Sequence, residues 1–393
     1  MKKKFLALCM VAVMSVSMMA CGAEKTSSDG ESGDTVKIGV LLSTTGDFSL
    51  SETPMLNAAK MAVDEINKAG GIDGKQIEPF YVDYGSDPSM AAEKAQELIL
   101  NDEVSAIVGT NSSSTRLAVI PTIEQYNSLL VYNTFYEGET PSDNLLYTNT
   151  CPNQQVDTLV KYMMENLGKK VFFVGSDYEF PRNSIAYAKT LVEELGGEIC
   201  GEEYVESGAT DFSSVVNKIK QENPDVVFSA VAGNSATSFF TDYSQYGMNM
   251  EDTPVCSIAA HESAVKSTGE AAVGAYSCFS YYNTLDTEAN KTFVEKYEQL
   301  YGTDTTLTNS AEKTYASFFM LKEAIEKAGS TDPAAIIDAA SGIEFEAPSG
   351  TIKMDEKNHH CWLNTYVGKV KEDLTYEIVS QSDGQVEPKP VAE

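Results

Sequence analysis

Motifs for metal and covalent catalysis are missing from this chain of 393 residues. It has three His and no HExxH pattern, which argues against a catalytic zinc site. GxSxG, GxxxxGK[ST] and GxGxxG are also absent, so the common nucleophile and nucleotide motifs are excluded. The adjacent acids Glu193-Glu194 and Glu202-Glu203 are typical of solvated faces. The sequence therefore predicts no enzyme, no catalytic residue, no metal and no cofactor.

Basic residues are also scarce, with 28 Lys and Arg against 58 Asp and Glu and a net charge of −30. Removal of residues 1–20 would take away three Lys and no acid, leaving 25 basic residues against 58 acidic ones. Nucleic acids and anionic membranes are bound by clustered Lys and Arg. The charge therefore argues against both partners and is typical of a soluble domain outside the cell.

Cysteines are few and none lies in a CxxC pair. Outside the first 21 residues there are five: Cys151, Cys200, Cys256, Cys278 and Cys361. An odd number cannot pair completely, so the pattern predicts mainly buried, unpaired thiols. A Cys256–Cys278 bridge is the one pairing we consider, because both residues lie at the ends of apolar runs.

The N-terminus carries a short apolar run, Phe5 to Val16, behind three lysines. It is too short for a membrane span and predicts a signal peptide over residues 1–20. Met18-Met19-Ala20-Cys21 resembles a bacterial lipobox, so we expect lipidated Cys21 and a flexible tether over residues 21–35. This places the protein outside the cytoplasm, on the outer face of the membrane. The alternative is a plain cleaved signal with an incidental Cys.

From Val36 onward, short apolar runs alternate with amphipathic stretches in two series, which predicts two α/β lobes with parallel sheets covered by helices. The predicted bounds are residues 36–152 plus 281–346 for lobe one, 153–280 plus 347–382 for lobe two, and 383–393 for a polar tail. Three crossovers are expected, near Cys151-Pro152, Tyr281-Tyr282 and Ala347-Pro348. Such crossovers form hinges, and a small ligand would bind in the cleft between the lobes.

Polar and aromatic side chains follow the predicted strands, where ligands bind in open α/β sheets. The segment 109–116, GTNSSSTR, opens a helix with three serines, which could hold an oxygen or simply cap the helix. Tyr132, Thr134 and Tyr136 alternate after one strand and should share one side. Tyr178 and Phe180 do so after another. These residues suit a small, partly apolar solute such as an amide, or they pad the lobe interface.

The segments GDFSLSETP, GTNSSSTR, YEGE, CPNQQ, GSDYEFPR and DFSSVVNKIK together resemble the type I periplasmic binding protein family, from residue 36 to about 380. YEG, PNQQ and GSDYxFPR are most similar to the members that bind urea or short-chain amides. The resemblance implies two Rossmann-like lobes that close on a ligand and delivery to an ABC permease with ATPase subunits. It also implies no catalysis, and we expect a monomer.

By position, the resemblance makes Ser113 a ligand-contacting hydroxyl, Tyr132 and Thr134 amide contacts, Tyr178 the closing aromatic, and Phe180 a residue of the urea type. Two positions depart from the pattern. Asn111 stands where urea members carry Trp, and Ala260 stands where many carry Glu, although Glu262 is close by. The candidate ligand-binding residues are Asn111, Ser113, Ser114, Tyr132, Thr134, Tyr136, Tyr178, Phe180 and Glu262.

Two alternatives keep the fold and change the role. A branched-chain or other neutral amino acid needs an acid for its ammonium group, and Glu262 would have to supply it. A sensor ectodomain would use the same lobes, but it would be expected to continue into a transmembrane helix, whereas this sequence ends in QSDGQVEPKPVAE.

Overall fold

The computed structural model describes residues 35–390. The predicted signal peptide, lipobox Cys21 and nearly all of the tether lie outside these residues. Within them, no helix is both long and apolar enough to cross a membrane. All five cysteines of this part of the chain are unpaired, including Cys256 and Cys278, so the bridge considered between those two is wrong.

The first sheet is parallel, with strand order β2-β1-β3-β4-β5. Its inner strand β1 is apolar apart from Lys37 and almost entirely buried, as expected for a sheet covered on both faces. The elements are β1 (Val36–Leu41), α1 (Ser49–Lys68), β2 (Ile77–Val82), α2 (Pro88–Leu100), β3 (Ala106–Gly109), α3 (Ser113–Gln125), β4 (Leu130–Tyr132) and β5 (Leu145–Tyr147).

The second sheet has the order β15-β14-β10-β9-β8-β6-β7. Strands β6 to β10 are parallel, and β14 and β15 add an antiparallel edge. Its elements are α4 (Pro152–Asn166), β6 (Lys170–Ser176), α5 (Glu179–Glu194), β7 (Glu198–Val205), α6 (Ser213–Glu222), β8 (Val226–Ala230), α7 (Ser235–Gln245), β9 (Val255–Ser257), α8 (Glu262–Thr268) and β10 (Tyr276–Phe279); β14 is Tyr366–Val370 and β15 is Tyr376–Gln381. A short 3₁₀ turn, Gly269–Ala272, follows α8. The two-lobed α/β prediction is confirmed.

Three further helices and a small antiparallel sheet lie between β10 and β14. They are α9 (Glu288–Tyr301), α10 (Asn309–Ala328), α11 (Pro333–Ala340), β11 (Glu344–Ala347), β12 (Gly350–Met354) and β13 (Cys361–Trp362). Ile352, Met354 and Leu363 pack in one apolar core with β1 and α10. The sequence placed residues 347–362 in lobe two, and this placement is wrong. Their apolar side chains are buried in the core of the first lobe, and the chain rejoins the second sheet only at β14.

Candidate functional site

A narrow cavity lies between the two sheets, with a volume of about 20 Å³, which is room for one or two water molecules. Its wall comes from the segments that follow β3, β4, β6, β8 and β9, and from the starts of α1 and α10. The lining residues are Phe48, Ser51, Asn111, Ser112, Ser113, Thr134, Phe135, Tyr178, Phe180, Ala232, Gly233, Ala259, His261 and Ser310. No Asp, Glu, Lys or Arg side chain is among them.

Helix α3 begins at this cavity. Ser112 is its N-cap, in an extended conformation, and its hydroxyl oxygen accepts a hydrogen bond from the backbone N–H of Thr115 at 3.2 Å. The first N–H groups of a helix have no acceptor within the helix. Because Ser112 and Ser113 both line the cavity, the positive end of the helix dipole lies at the cavity wall, where it favours negative partial charge.

Three hydroxyl groups of the wall donate their hydrogens to other groups of the protein. Ser51 donates to the carbonyl of Phe48 at 2.9 Å, and Thr134 donates to Oδ1 of Asn111 at 3.1 Å. Ser112 donates to Oγ1 of Thr115, because that hydroxyl already donates to the Ser112 carbonyl. The oxygens of these groups therefore face the cavity mainly as hydrogen-bond acceptors.

Ser113 behaves in the same way, and its partners are ionised. Its hydroxyl donates to Oε2 of Glu137 at 2.5 Å and accepts from Nη1 of Arg116 at 3.0 Å. Arg116 and Glu137 form an ion pair at 2.5 Å, with side chains 0% and 1% exposed. Neither residue lines the cavity. The charges of Arg116 and Glu137 therefore lie behind the side chains that form the cavity wall. One lone pair of the Ser113 oxygen stays available to a ligand.

Tyr132 and Tyr136 also lie behind the cavity wall, beside Arg116. Their rings pack around the guanidinium of Arg116, at 5.1 and 4.6 Å from ring centre to Cζ. The Tyr132 hydroxyl donates to the carbonyl of Asn111 at 2.7 Å, and the Tyr136 hydroxyl bonds the ring of His360. The predicted two-residue alternation is wrong here, because β4 ends at Tyr132 and the chain then turns.

Aromatic rings cover the opposite side of the cavity. Phe48 contacts Tyr178 with ring centres 6.4 Å apart, and Phe135 contacts Phe180 at 5.4 Å. The sequence placed Tyr178 and Phe180 on a strand end, but Tyr178 is the N-cap of α5 and Phe180 lies in its first turn. Both still line the cavity, since the first turn of α5 faces the first lobe.

His261 and Glu262 come from the turn before α8 and its first residue. His261 lines the cavity, its Nδ1 has no partner among the described residues, and burial lowers its pKa to about 4. Glu262 is 3% exposed and does not line the cavity. Burial raises its pKa to about 8, although backbone N–H groups nearby, including those of Asn283 and Asn309, act against the shift. Ala260 is buried beside them.

Of the predicted residues, five line the cavity: Asn111, Ser113, Thr134, Tyr178 and Phe180. Ser114 instead donates from the helix surface to Glu179 of the second lobe at 2.9 Å. Sequence reasoning missed the other lining residues outside GTNSSSTR: Phe48, Ser51, Phe135, Ala232, Gly233, Ala259, His261 and Ser310. Phe48 and Ser51 lie in the quoted segment GDFSLSETP that follows β1, so the rule of reading beyond strand ends could have found them.

Comparison with known sequences identifies the family. The family model described as "Periplasmic binding protein domain" matches residues 36–393. A similar curated protein is the Leu/Ile/Val-binding protein homolog 6 of Brucella melitensis, 26% identical over 382 residues that make up 95% of each chain. Another is the leucine-, isoleucine-, valine-, threonine- and alanine-binding protein of Pseudomonas aeruginosa, 24% identical over 82% of this chain and 87% of the other.

Solved structures with the same fold include a solute-binding protein of an ABC transporter from Rhodopseudomonas palustris BisB5, in complex with 3,4-dihydroxybenzoic acid. Its TM-score is 0.83, with 25% identity over 90% of this chain and 99% of the other. The branched-chain amino acid binding protein LivJ of Streptococcus pneumoniae, in complex with isoleucine, gives a TM-score of 0.79 with 24% identity over 90% of this chain and all of the other.

Proposed function

Because the chain belongs to the periplasmic binding protein family and has the type I fold of solute-binding proteins of ABC transporters, we propose that it captures a short-chain amide or urea. One observation carries this choice of solute. The hydroxyl groups of Ser51, Ser112, Ser113 and Thr134 direct their hydrogens into the protein, so the wall offers acceptors to a solute that brings N–H donors.

A primary amide satisfies each part of this wall. Its NH₂ group donates to the free lone pairs of Ser113 and Thr134. Its carbonyl oxygen accepts from the first N–H groups of α3, which favour negative partial charge. Its alkyl group packs on the rings of Tyr178, Phe180 and Phe135, which are apolar on their faces. Urea replaces the alkyl group with a second donor.

Size and charge also support a small neutral solute. The cavity of about 20 Å³ has to widen to admit even a solute of a few heavy atoms, and a larger solute would need a larger separation of the lobes. The lining has no Asp, Glu, Lys or Arg to pair with a charged group, and burial lowers the pKa of His261 to about 4, so it is neutral at pH 7. An ionised solute would therefore lose its hydration without gaining an ion pair, which is costly in a buried site.

The second candidate is a branched-chain amino acid, and one observation favours it. Neither carboxyl oxygen of Glu262 has a hydrogen-bond partner among the described residues, and its neighbour His261 lines the cavity. The names of the relatives agree with this ligand class. An ammonium group would have to draw Glu262 toward the cavity and ionise it, against a pKa of about 8.

Isothermal titration calorimetry of the ligand-stripped protein tests these proposals with urea, acetamide, propionamide, isoleucine and 3,4-dihydroxybenzoate. We expect propionamide to bind, with an affinity that is constant from pH 6 to 8, because His261, with a pKa of about 4, stays neutral and Glu262 does not line the cavity. Binding of isoleucine alone, with affinity rising between pH 6 and 8 as Glu262 loses its proton, would establish the second candidate. Binding of the benzoate alone would refute both.

The remaining assignments follow from the family role. The loaded protein delivers its solute to an ABC permease with ATPase subunits, and it acts without catalysis. Lipidated Cys21 would hold it on the outer face of the membrane through a tether ending near residue 35. Labelling of whole cells with a palmitate analogue tests the anchor, and Cys21→Ser should abolish the label while the protein is still exported.

A further inference from the structure

Ser113 has an arrangement that a simple helix-capping serine does not need. Its hydrogen points to the Glu137 carboxylate, and one of its lone pairs receives a hydrogen from Arg116. We infer that Glu137, which does not touch the cavity, is the positioning residue that makes the site select N–H donors over carboxylates. This rests on the proposed function and adds to it the residue that sets the preference.

The ion pair fixes the direction of the Ser113 hydroxyl because each partner has a single role. An ionised carboxylate only accepts hydrogen bonds, and a guanidinium only donates them. Glu137 is 5% exposed and Arg116 0% exposed, so water does not compete for either group. The Ser113 hydroxyl therefore has no hydrogen left for a ligand oxygen, and a carboxylate at that place would meet a lone pair.

Glu137→Gln should reverse the direction in which the Ser113 hydroxyl donates, so that its hydrogen points into the cavity. Nη2 of Arg116 lies 2.5 Å from Oε1 of Glu137 and needs an acceptor there. The amide oxygen of the new Gln side chain therefore stays toward Arg116. Its NH₂ group then faces Ser113 and donates. With two donors directed at its oxygen, the Ser113 hydroxyl has to place its own hydrogen toward the cavity, where it suits a carboxylate oxygen. Loss of the neutralising carboxylate also leaves Arg116 as a buried cation behind the wall.

The experiment measures the affinity ratio for propionamide over propionate, a pair that differs only in the group facing Ser113. Glu137→Gln is expected to lower this ratio by about thirtyfold or more, since one hydrogen bond is lost for the amide and one is gained for the acid. Glu124→Gln is the matched control, because Glu124 also accepts from a serine, Ser142 at 2.7 Å, but near the far end of α3. Its ratio should equal that of the wild type.

Ser113→Ala tests whether Glu137 acts by positioning the Ser113 hydroxyl or only by supporting the fold. In that background Glu137→Gln should change the ratio by much less than thirtyfold, because the hydroxyl through which it acts is gone. If Glu137→Gln does not fold, Ser113→Ala alone decides: it should lower amide affinity about tenfold and leave propionate unchanged or better bound. An equal loss for both ligands would overturn the inference.

The results also separate this inference from the proposed function. If the wild type binds propionamide and Glu137→Gln leaves the ratio unchanged, the inference is wrong and the proposed function stands. If the wild type prefers propionate but Glu137→Gln still shifts the ratio toward the acid, Glu137 has the positioning role and the proposed function fails. A preference for propionate that Glu137→Gln does not alter refutes both.

Discussion

At the scale of single residues, four buried titratable groups dominate the pH response. Burial raises the pKa of Glu52 and of Glu262 to about 8, from an ordinary value of 4.5. Burial lowers the pKa of His261 and of His360 to about 4, from an ordinary value of 6.5. Between about pH 4.5 and 8, the two acids are protonated in the folded protein and ionised in the unfolded chain. Between about pH 4 and 6.5, the two histidines are neutral in the folded protein and protonated in the unfolded chain.

These shifts predict a loss of stability at alkaline pH. The stability contributed by the two acids is complete below pH 4.5 and is lost as the pH rises to about 8. The histidines act in the opposite direction, but only below pH 6.5. Between pH 6.5 and 8 the free energy of unfolding should therefore fall, by at most about 1.4 kcal/mol per pH unit for each acid.

Denaturation by guanidinium chloride at pH 6.5, 7.2 and 8.0 measures this slope. Glu262→Gln should roughly halve it, because Gln keeps the shape of the neutral carboxyl and does not titrate. Glu179→Gln is the control, since Glu179 is exposed, and its slope should match the wild type. A wild-type protein whose stability does not change over this interval would contradict the prediction.

At the scale of elements, the turn from β3 into the segment before α3 depends on Gly109. Its φ is +136°, and an added Cβ would lie 2.3 Å from the carbonyl oxygen of Leu41 on the neighbouring strand. Gly196, at the end of α5, has a φ of +75° with no atom within 4 Å of such a Cβ. The two glycines therefore share a positive φ and differ in the space around them.

Gly109→Ala should lower the free energy of unfolding by about 3 kcal/mol or more, because backbone strain and an overpacked strand pair add together. Gly196→Ala carries only the cost of the left-handed conformation, about 1 kcal/mol. Denaturation of both variants by guanidinium chloride gives the comparison. Equal losses would mean that the close approach to Leu41 relaxes without cost, and would refute the packing argument.

Most elements could be predicted from the sequence because their patterns are local. The start of α3 was correct, since serines before an apolar helix are a strong N-terminal signal. The start of α5 has no such signal, because Tyr178 caps it through backbone geometry alone, without a side-chain hydrogen bond. The position of β12 depended on which lobe buries Ile352, and no local pattern encodes that choice.

The same limit applies to the site. Ser113 and Tyr178 follow strand ends and could be found by that rule. Tyr132 and Tyr136 carry the same signal, yet they lie behind the wall, because the turn after β4 directs their rings toward Arg116. The roles of Arg116 and Glu137 could not be predicted from spacing, since they become partners only when α3 and the segment after β4 pack together.

At the scale of the whole molecule, Asp47 joins the two lobes at the edge of the cavity. This residue precedes α1 in the first lobe. Its carboxylate accepts from the Ser207 hydroxyl at 2.9 Å and from the backbone N–H of Asn234 at 3.2 Å, both in the second lobe. A ligand that binds only between joined lobes gains affinity from any contact that favours the joined arrangement.

Asp47→Ala should therefore weaken every ligand by the same factor, about three- to tenfold, and leave the ratio of propionamide to propionate unchanged. Small-angle scattering of the ligand-free variant should show a larger radius of gyration than the wild type. Asp64→Ala removes an exposed carboxylate that pairs with Lys68 of the same helix, and should change neither quantity. A change confined to one ligand would show that Asp47 acts on the site itself.

The placement of Arg116 and Glu137 behind the wall also bears on the rate of capture. The chain carries a net charge of −30, so its long-range field repels anions such as carboxylates and attracts cations. A neutral solute feels neither force, and the wall it meets carries no net charge. Its association rate should therefore be nearly independent of ionic strength, whereas a carboxylate should associate faster as added salt screens the repulsion.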